Sequence, residues 1–467
     1  MSASAAKLSL APEGASAGKQ LRTGLYASVV LCYLILKVGH LTILAPLLSG
    51  VSLLAILVSL PASGWATRIL SGLFLGSGTW MLQRKGLAWP QQLGAFGEMA
   101  YLLALFAVVP VLSAPVKLGG YSQAIQTVLR GRIAGVFGLN CLATTLAYVC
   151  GSFMSMAAVP IMMTSLEPVV GSYPVANKVR FMSVSATYGY VLPILWTPVS
   201  GVVGVVLYSL HGDWLAVFPT LFALSIASLC ANWAIFYLLE VRGKACSAPI
   251  EAEAAASPVP RLLQMLLGIV LLVISIVLLE QWLQIGLVTV VTLASVPFAL
   301  AWSAVLGQAG RFLKDTGEQL VTRLPRMADQ FAIFLSAGYF AKAMHLSGVD
   351  HTANSMFLHL HGALGTQLFL ILMPVMALIA SFLGVHPLVA IALLSESLKP
   401  EVLGITSTQL AITLIGSSVL TYMLGPFSGT LGLVQSINRV STFRLSLWNA
   451  PYAAGYFVLL VATIMVM

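Results

Sequence analysis

Charge is what this chain has least of. Only 8% of its 467 residues are Asp, Glu, Lys or Arg, while 59% are hydrophobic and the mean hydropathy is +0.97. Soluble domains carry about 25% charged residues. This depletion, with repeated apolar stretches of about 20 residues, excludes an ordinary soluble protein and indicates an all-α polytopic membrane protein. The short alternating segments of a membrane β-barrel are missing. Cysteine is scarce as well. Cys32, Cys141, Cys150, Cys230 and Cys246 form no C-x-x-C pair, and four of them fall in apolar segments, which reads as small buried hydrophobes. HExxH, GxSxG and Walker A sequences are absent, so the sequence reads as neither an enzyme nor a fused ATPase. His345, His351, His359 and His361 lie close together. His359 and His361 do not share a helical face, and no Cys or paired acid completes a metal set.

The formal net charge of +9 is spread over loops between apolar segments. That suits an anionic membrane surface and argues against a nucleic-acid partner. Residues 1–22, Ala/Ser-rich with Lys7, Lys19 and Arg22, read as a cytoplasmic tail ahead of a retained first helix. The one later run of small and polar residues is 241–260, with prolines at 249, 258 and 260. It reads as a linker between a first transmembrane repeat, 23–240, and a second, 261–467.

The two halves follow a similar order. Each opens with an apolar block broken by a polar patch: 24–60, interrupted at Lys37 to His40, and 262–306, interrupted at Glu280 to Gln284. A more polar stretch follows in each, 83–97 and 307–326, the latter patterned as an amphipathic surface helix. Leu118-Gly119-Gly120 then matches Leu346-Ser347-Gly348, 228 residues on. The segments 151–168 and 380–400 both start small-Ser-Phe, carry a proline midway and end in an acid and a proline. They are too interrupted for an ordinary span and are expected to be re-entrant hairpins. Whether the repeats are inverted depends on how 64–82 and 299–306 cross.

One motif occurs twice. Pro198 to Gly204 and Pro426 to Gly432 both read P-x-S-G-x-x-G, again 228 apart, inside long apolar segments. Proline removes a backbone donor and glycine tolerates conformations that a helix cannot use. In a bilayer such a break survives only where protein or a watery cavity surrounds it, and a matched pair of breaks points to a transporter's central site. The substrate-binding candidates are therefore Thr197, Ser200, Gly201, Ser428, Gly429 and Thr430 at the breaks, with Ser152, Ser155, Ser381 and Gly384 at the hairpin tips. Carbonyls near Pro198 and Pro426, and the imidazole of His386, are the candidates for ion coupling. Glu98, Lys117, Glu167, Lys342, His345 and Glu396 are further ionisable groups in apolar sequence, with Glu167 and Glu396 at equivalent hairpin ends.

The segments beginning Gly151-Ser152-Phe153 and Ala380-Ser381-Phe382, the Gly384-Val-His-Pro387 stretch and the breaks at 197–201 and 425–430 resemble the ion transporter superfamily. That group holds dicarboxylate/citrate symporters, arsenite permeases and the membrane subunits of binding-protein-dependent dicarboxylate transporters. The Ser-Asn-Thr found at many of its hairpin tips is absent from this chain. The resemblance implies two inverted repeats, a scaffold part, a moving transport part and often a homodimer. The expectation is a secondary active transporter of a small anionic, carboxylate-like solute, working by alternating access in a bacterial inner membrane. It would need the lipid bilayer and Na⁺ or H⁺ but no cofactor. The alternatives are the membrane subunit of a system with a soluble binding protein, and a lipid flippase or a sensor.

Overall fold

The computed structural model describes residues 17–129, 133, 135–242 and 259–467. The first sixteen residues of the expected tail and 243–258 of the expected linker lie outside the described residues. Among the described residues every regular element is a helix, and nine helices are long and apolar enough to cross a membrane. The protein is a multi-pass helical membrane protein. One large apolar core runs through both halves, with a small separate cluster of Met81, Leu82, Ala95, Tyr339 and Ala343 beside it.

Each half starts with a helical pair, Ala17–Val38 with Ala45–Ser59 and Val259–Leu283 with Leu287–Val305. The polar patches seen in the sequence are the turns between them, where His40 and Gln284 take left-handed backbone. Residues 299–305 thus belong to one continuous helix, and most of 64–82 lies in another, Trp65–Arg84, so the first half has three long helices before residue 85. Trp65–Arg84 lies along Ala328–Ser347. Gly78 permits this approach, since a methyl there would sit 2.8 Å from the Tyr339 ring. The Thr79 hydroxyl bonds that of Tyr339 at 3.0 Å. The amphipathic stretch is the helix Ala309–Arg323, which buries Phe312 and Thr316 four residues apart and exposes Arg311, Lys314 and Glu318.

Both bends involve more chain than the sequence suggests. The first runs from Gly135–Met154 through a turn at Ser155–Ala157 into Ala158–Val170, and the second from Thr366–Phe382 through 383–386 into Pro387–Ser397. The segments 151–168 and 380–400 hold only the second arm and the end of the first. The apolar run before each tip has no breaker strong enough to end the helix earlier. Ser155 and Gly384, at the tips, both have positive φ, at 52° and 100°. Gly120 and Gly348, and likewise His211 and Arg439, also pair as left-handed residues 228 apart. Such backbone is uncommon outside glycine, yet Ser155, His211 and Arg439 all adopt it.

The broken helices occupy the centre. Lys178–Val191 tightens through Leu192–Leu195, unwinds, and resumes as Gly201–Ser209; Ser407–Leu424 unwinds at 425–428 and resumes as Gly429–Asn438. The closing spans Trp214–Phe236 and Thr442–Val466 pack on one another. Burial follows the same plan: 83% of the apolar window in Ser407–Asn438 is covered by protein, against 28% in Pro260–Leu283. The outer helix presents Leu263, Leu267, Leu271 and Leu278 outward, as a lipid-facing surface requires.

Candidate functional site

The twice-used motif folds the same way twice. Proline supplies no N–H, so the following turn is closed by the serine: Ser200 N–H donates to the Thr197 carbonyl and Ser428 N–H to the Gly425 carbonyl, each at 3.0 Å. Both serines then leave extended backbone and cap the next half-helix. Ser200 Oγ accepts from Val202 N–H and Ser428 Oγ from Leu431 N–H, each at 3.3 Å. Gly204 and Gly432 N–H return to the carbonyl of their own serine at 3.0 Å. Serine is favoured as a cap because its oxygen satisfies one of the amides a helix start leaves free.

Beside the first break lies a cavity of about 380 Å³, within the range of roughly 300–1,000 Å³ typical of small-molecule pockets. The first bend brings Ser152 and Ser155 to its wall, and the first break brings Thr197, Ser200 and Gly201. From the second half come His386 and Gly429. Thr197 ties bend to break, its hydroxyl donating to the Ser152 carbonyl at 2.7 Å. Ser152 itself donates back to Val149 O at 2.7 Å, which leaves its hydroxyl only an acceptor role toward the cavity.

Four expected residues do not reach this wall: Ser381, Gly384, Ser428 and Thr430. Ser428 is buried, its hydroxyl donating to Tyr422 O at 3.2 Å while capping the helix. Ser381 fills the space beside Gly425, where even a methyl would overlap its hydroxyl. The Ser381 hydroxyl is buried without a hydrogen-bond partner, and that of Thr430 lies beside the Tyr190 hydroxyl. Gly384 lies on the turn, with nothing near the place of a Cβ. Pro198 and Pro426 are also outside the wall, and the carbonyls immediately before them already accept the serine amides.

His386 caps Pro387–Ser397. Its Nδ1 accepts from Leu388 N–H at 3.3 Å, so the neutral ring carries its hydrogen on Nε2. That nitrogen lies 4.0 Å from the Cβ position of Gly429. Phe334 and Tyr422 stand edge-on to the imidazole at centroid distances of 5.9 and 6.4 Å.

Sequence reasoning did not assign Tyr190, Gln330, Arg323 or Arg326 to the site, yet all four line it. The arginines matter most, because among the described residues they are the only Asp, Glu, Lys or Arg side chains in the wall. Both come from the end of the surface helix and the turn at Leu324–Arg326. The signal available was Arg323-Leu-Pro-Arg326: two cations flanking a proline that turns the chain inward. Three half-helices also start at the cavity, at Gly201, Pro387 and Gly429, with lengths of 9, 11 and 10 residues. Each presents the positive end of its dipole. The arrangement suits a small anion with an apolar body, the latter met by Phe106, Ile194 and Phe334.

No protein-family model matches the chain, and no curated protein matches it. Among solved structures it is similar to the YdaH transporter of Alcanivorax borkumensis, whose crystal structure is described as revealing an unusual topology. The two agree with a TM-score of 0.55 over 80% of this chain and 87% of that one, at 16% sequence identity. The likeness is one of fold: this chain has the helical membrane architecture of a transporter.

Proposed function

We propose that this protein is a secondary active transporter of a small anionic, carboxylate-like organic solute, coupled to Na⁺ or H⁺ and working by alternating access in a bacterial inner membrane. One observation carries the reading: three helix N-termini and two arginines surround a cavity whose wall contains no acid. Helix N-termini and guanidinium groups both favour carboxylates. The matched breaks, bends and left-handed residues support reading the halves as two repeats of the ion transporter type. The homodimer common in that group is part of the proposal.

The test is thermal unfolding of the purified protein with succinate, citrate and benzoate, each with and without Na⁺. A bound ligand raises the midpoint by mass action. At least one acid is expected to stabilise the wild type, and Arg323→Gln and Arg326→Gln are each expected to weaken that stabilisation several-fold. A flat response to all three acids, or equal stabilisation of the double arginine variant, would sink the anion reading.

A further inference from the structure

The half-helices Gly201–Ser209 and Pro387–Ser397 both begin at the cavity, and they pack against one another. Their far ends are joined by a single contact, in which Ser209 Oγ donates to Glu396 Oε1 at 2.6 Å. Glu396 follows His386 by about three turns, or roughly 15 Å at 1.5 Å per residue. It is therefore clear of the cavity but on the same element.

Charge around this contact does not balance. Lys342 Nζ bonds Glu98 Oε2 at 3.3 Å, with the two side chains 34% and 37% exposed. Lys342, Glu98 and His211 are the charged or titratable groups that face Glu396. Two carboxylates thus face one ammonium, and one negative charge is left for a proton, the exposed His211 imidazole or Lys37, whose ammonium stands over the Tyr208 ring at 5.5 Å, to compensate. The Tyr101 side chain is fully buried, its ring is stacked on Tyr208 at 4.3 Å, and its hydroxyl has no hydrogen-bond partner. Both Glu396 and Glu98 act on that hydroxyl electrostatically without bonding it. The other helices packed on Pro387–Ser397 add no competing free charge. Ser407–Leu424 and Thr366–Phe382 carry none, and Val349–Leu364 offers Asp350, which is bonded to Lys399 at 3.0 Å.

We propose that Glu396 is the proton-coupling carboxyl of this protein, exchanging one proton with water at the Glu98–Lys342 edge and passing the change to the cavity through the two half-helices it joins. The step is COO⁻ plus H⁺ giving COOH, with the proton drawn from bulk water. Ionised, Glu396 holds Ser209 by a charge-assisted bond; protonated, it leaves Lys342 to Glu98 alone and loosens the far ends of both half-helices. The inference rests on the transporter reading for its role, but its test needs no solute.

The experiment is infrared titration of the full-length protein in lipid, with the proton as the probe and the protonated-carboxyl stretch as the readout. Wild type is expected to show one such band rising and falling with pH, and Glu396→Gln to lose it. Glu98→Gln, which removes a like charge, is expected to move its midpoint to lower pH; Lys342→Gln, which removes the attracting charge, moves it to higher pH. The opposite shifts identify the titrating group as the carboxyl that faces both Glu98 and Lys342. If Glu396→Gln does not fold, the signs of the other two variants still decide. A band unchanged in Glu396→Gln, or shifts of the same sign in Glu98→Gln and Lys342→Gln, overturns the proposal. Failure of organic acids to stabilise the protein would instead remove the transporter reading and leave these titrations standing.

Discussion

The two breaks share a motif, a turn and a cap, yet they do different work. At the first, the position before the proline is Thr197, whose hydroxyl reaches across to the first bend and bonds the Ser152 carbonyl. At the second, the equivalent position is Gly425, and the hydroxyl comes from the other side, because Ser381 of the second bend fills the space a side chain would take. Each bend–break junction therefore holds one hydroxyl, supplied by the break in one half and by the bend in the other. The first junction opens onto the cavity along both bend and break, whereas the second reaches it through His386 of the bend and Gly429 of the break. A repeated motif fixes a local backbone path; the neighbours decide which copy meets a ligand.

The sharpest way to break this comparison is Gly425→Ala. A Cβ there overlaps Ser381 and approaches Thr421 O to 2.5 Å, and overpacking of this kind costs about 3 kcal/mol or more. The expected result is a large fall in Tm or loss of folded protein, relieved when Ser381→Gly is added; a stable single variant would mean the second junction is loose. Thr197→Val tests the opposite arrangement. It leaves a helix-end carbonyl unsatisfied, at about 1–3 kcal/mol, and should lower Tm measurably without blocking folding.

The caps come next. Ser200→Ala and Ser428→Ala each remove an N-cap worth about 1 kcal/mol, and Ser428→Ala, which also loses the bond to Tyr422 O, should lose the more stability. Only Ser200 lines the cavity, so only Ser200→Ala should also weaken stabilisation by a bound organic acid. Equal losses of binding in both variants would show that the second break meets the solute directly. The smallest effect is expected at Thr430→Val. Its buried hydroxyl makes no well-aligned hydrogen bond, although the Tyr190 hydroxyl is beside it, and replacing such a weakly bonded group by a methyl costs little. A clear loss of stability or binding there would reveal a partner for that hydroxyl.

Much of this organisation was readable because helix-breaking chemistry is local. The unwound stretches at 197–200 and 425–428, the capping serines and the surface helix all follow from proline, glycine, serine and apolar spacing within a few residues. What was not readable depends on contacts between distant segments. Nothing local tells that Arg323 and Arg326 turn into the cavity while Arg311 of the same helix stays outside, or that Ser381 packs on a glycine instead of facing a ligand. The helix Trp65–Arg84 escaped for a related reason. Its glycines and threonines look like a poor span until Tyr339 is there to fill the groove beside Gly78.

The heavy sheathing of Ser407–Asn438 bears on how the molecule is made. That stretch carries Thr413, Ser417, Ser418 and Thr421, all buried against other parts of the chain. On leaving the ribosome its hydroxyls are met by carbonyls of their own helix, but the gap in backbone bonding at 425–428 is not, and an apolar composition does not satisfy it. Its stable insertion has to await segments synthesised before and after it, which makes the last quarter of the chain a checkpoint in biogenesis, the stage at which a half-assembled copy is exposed to membrane quality control.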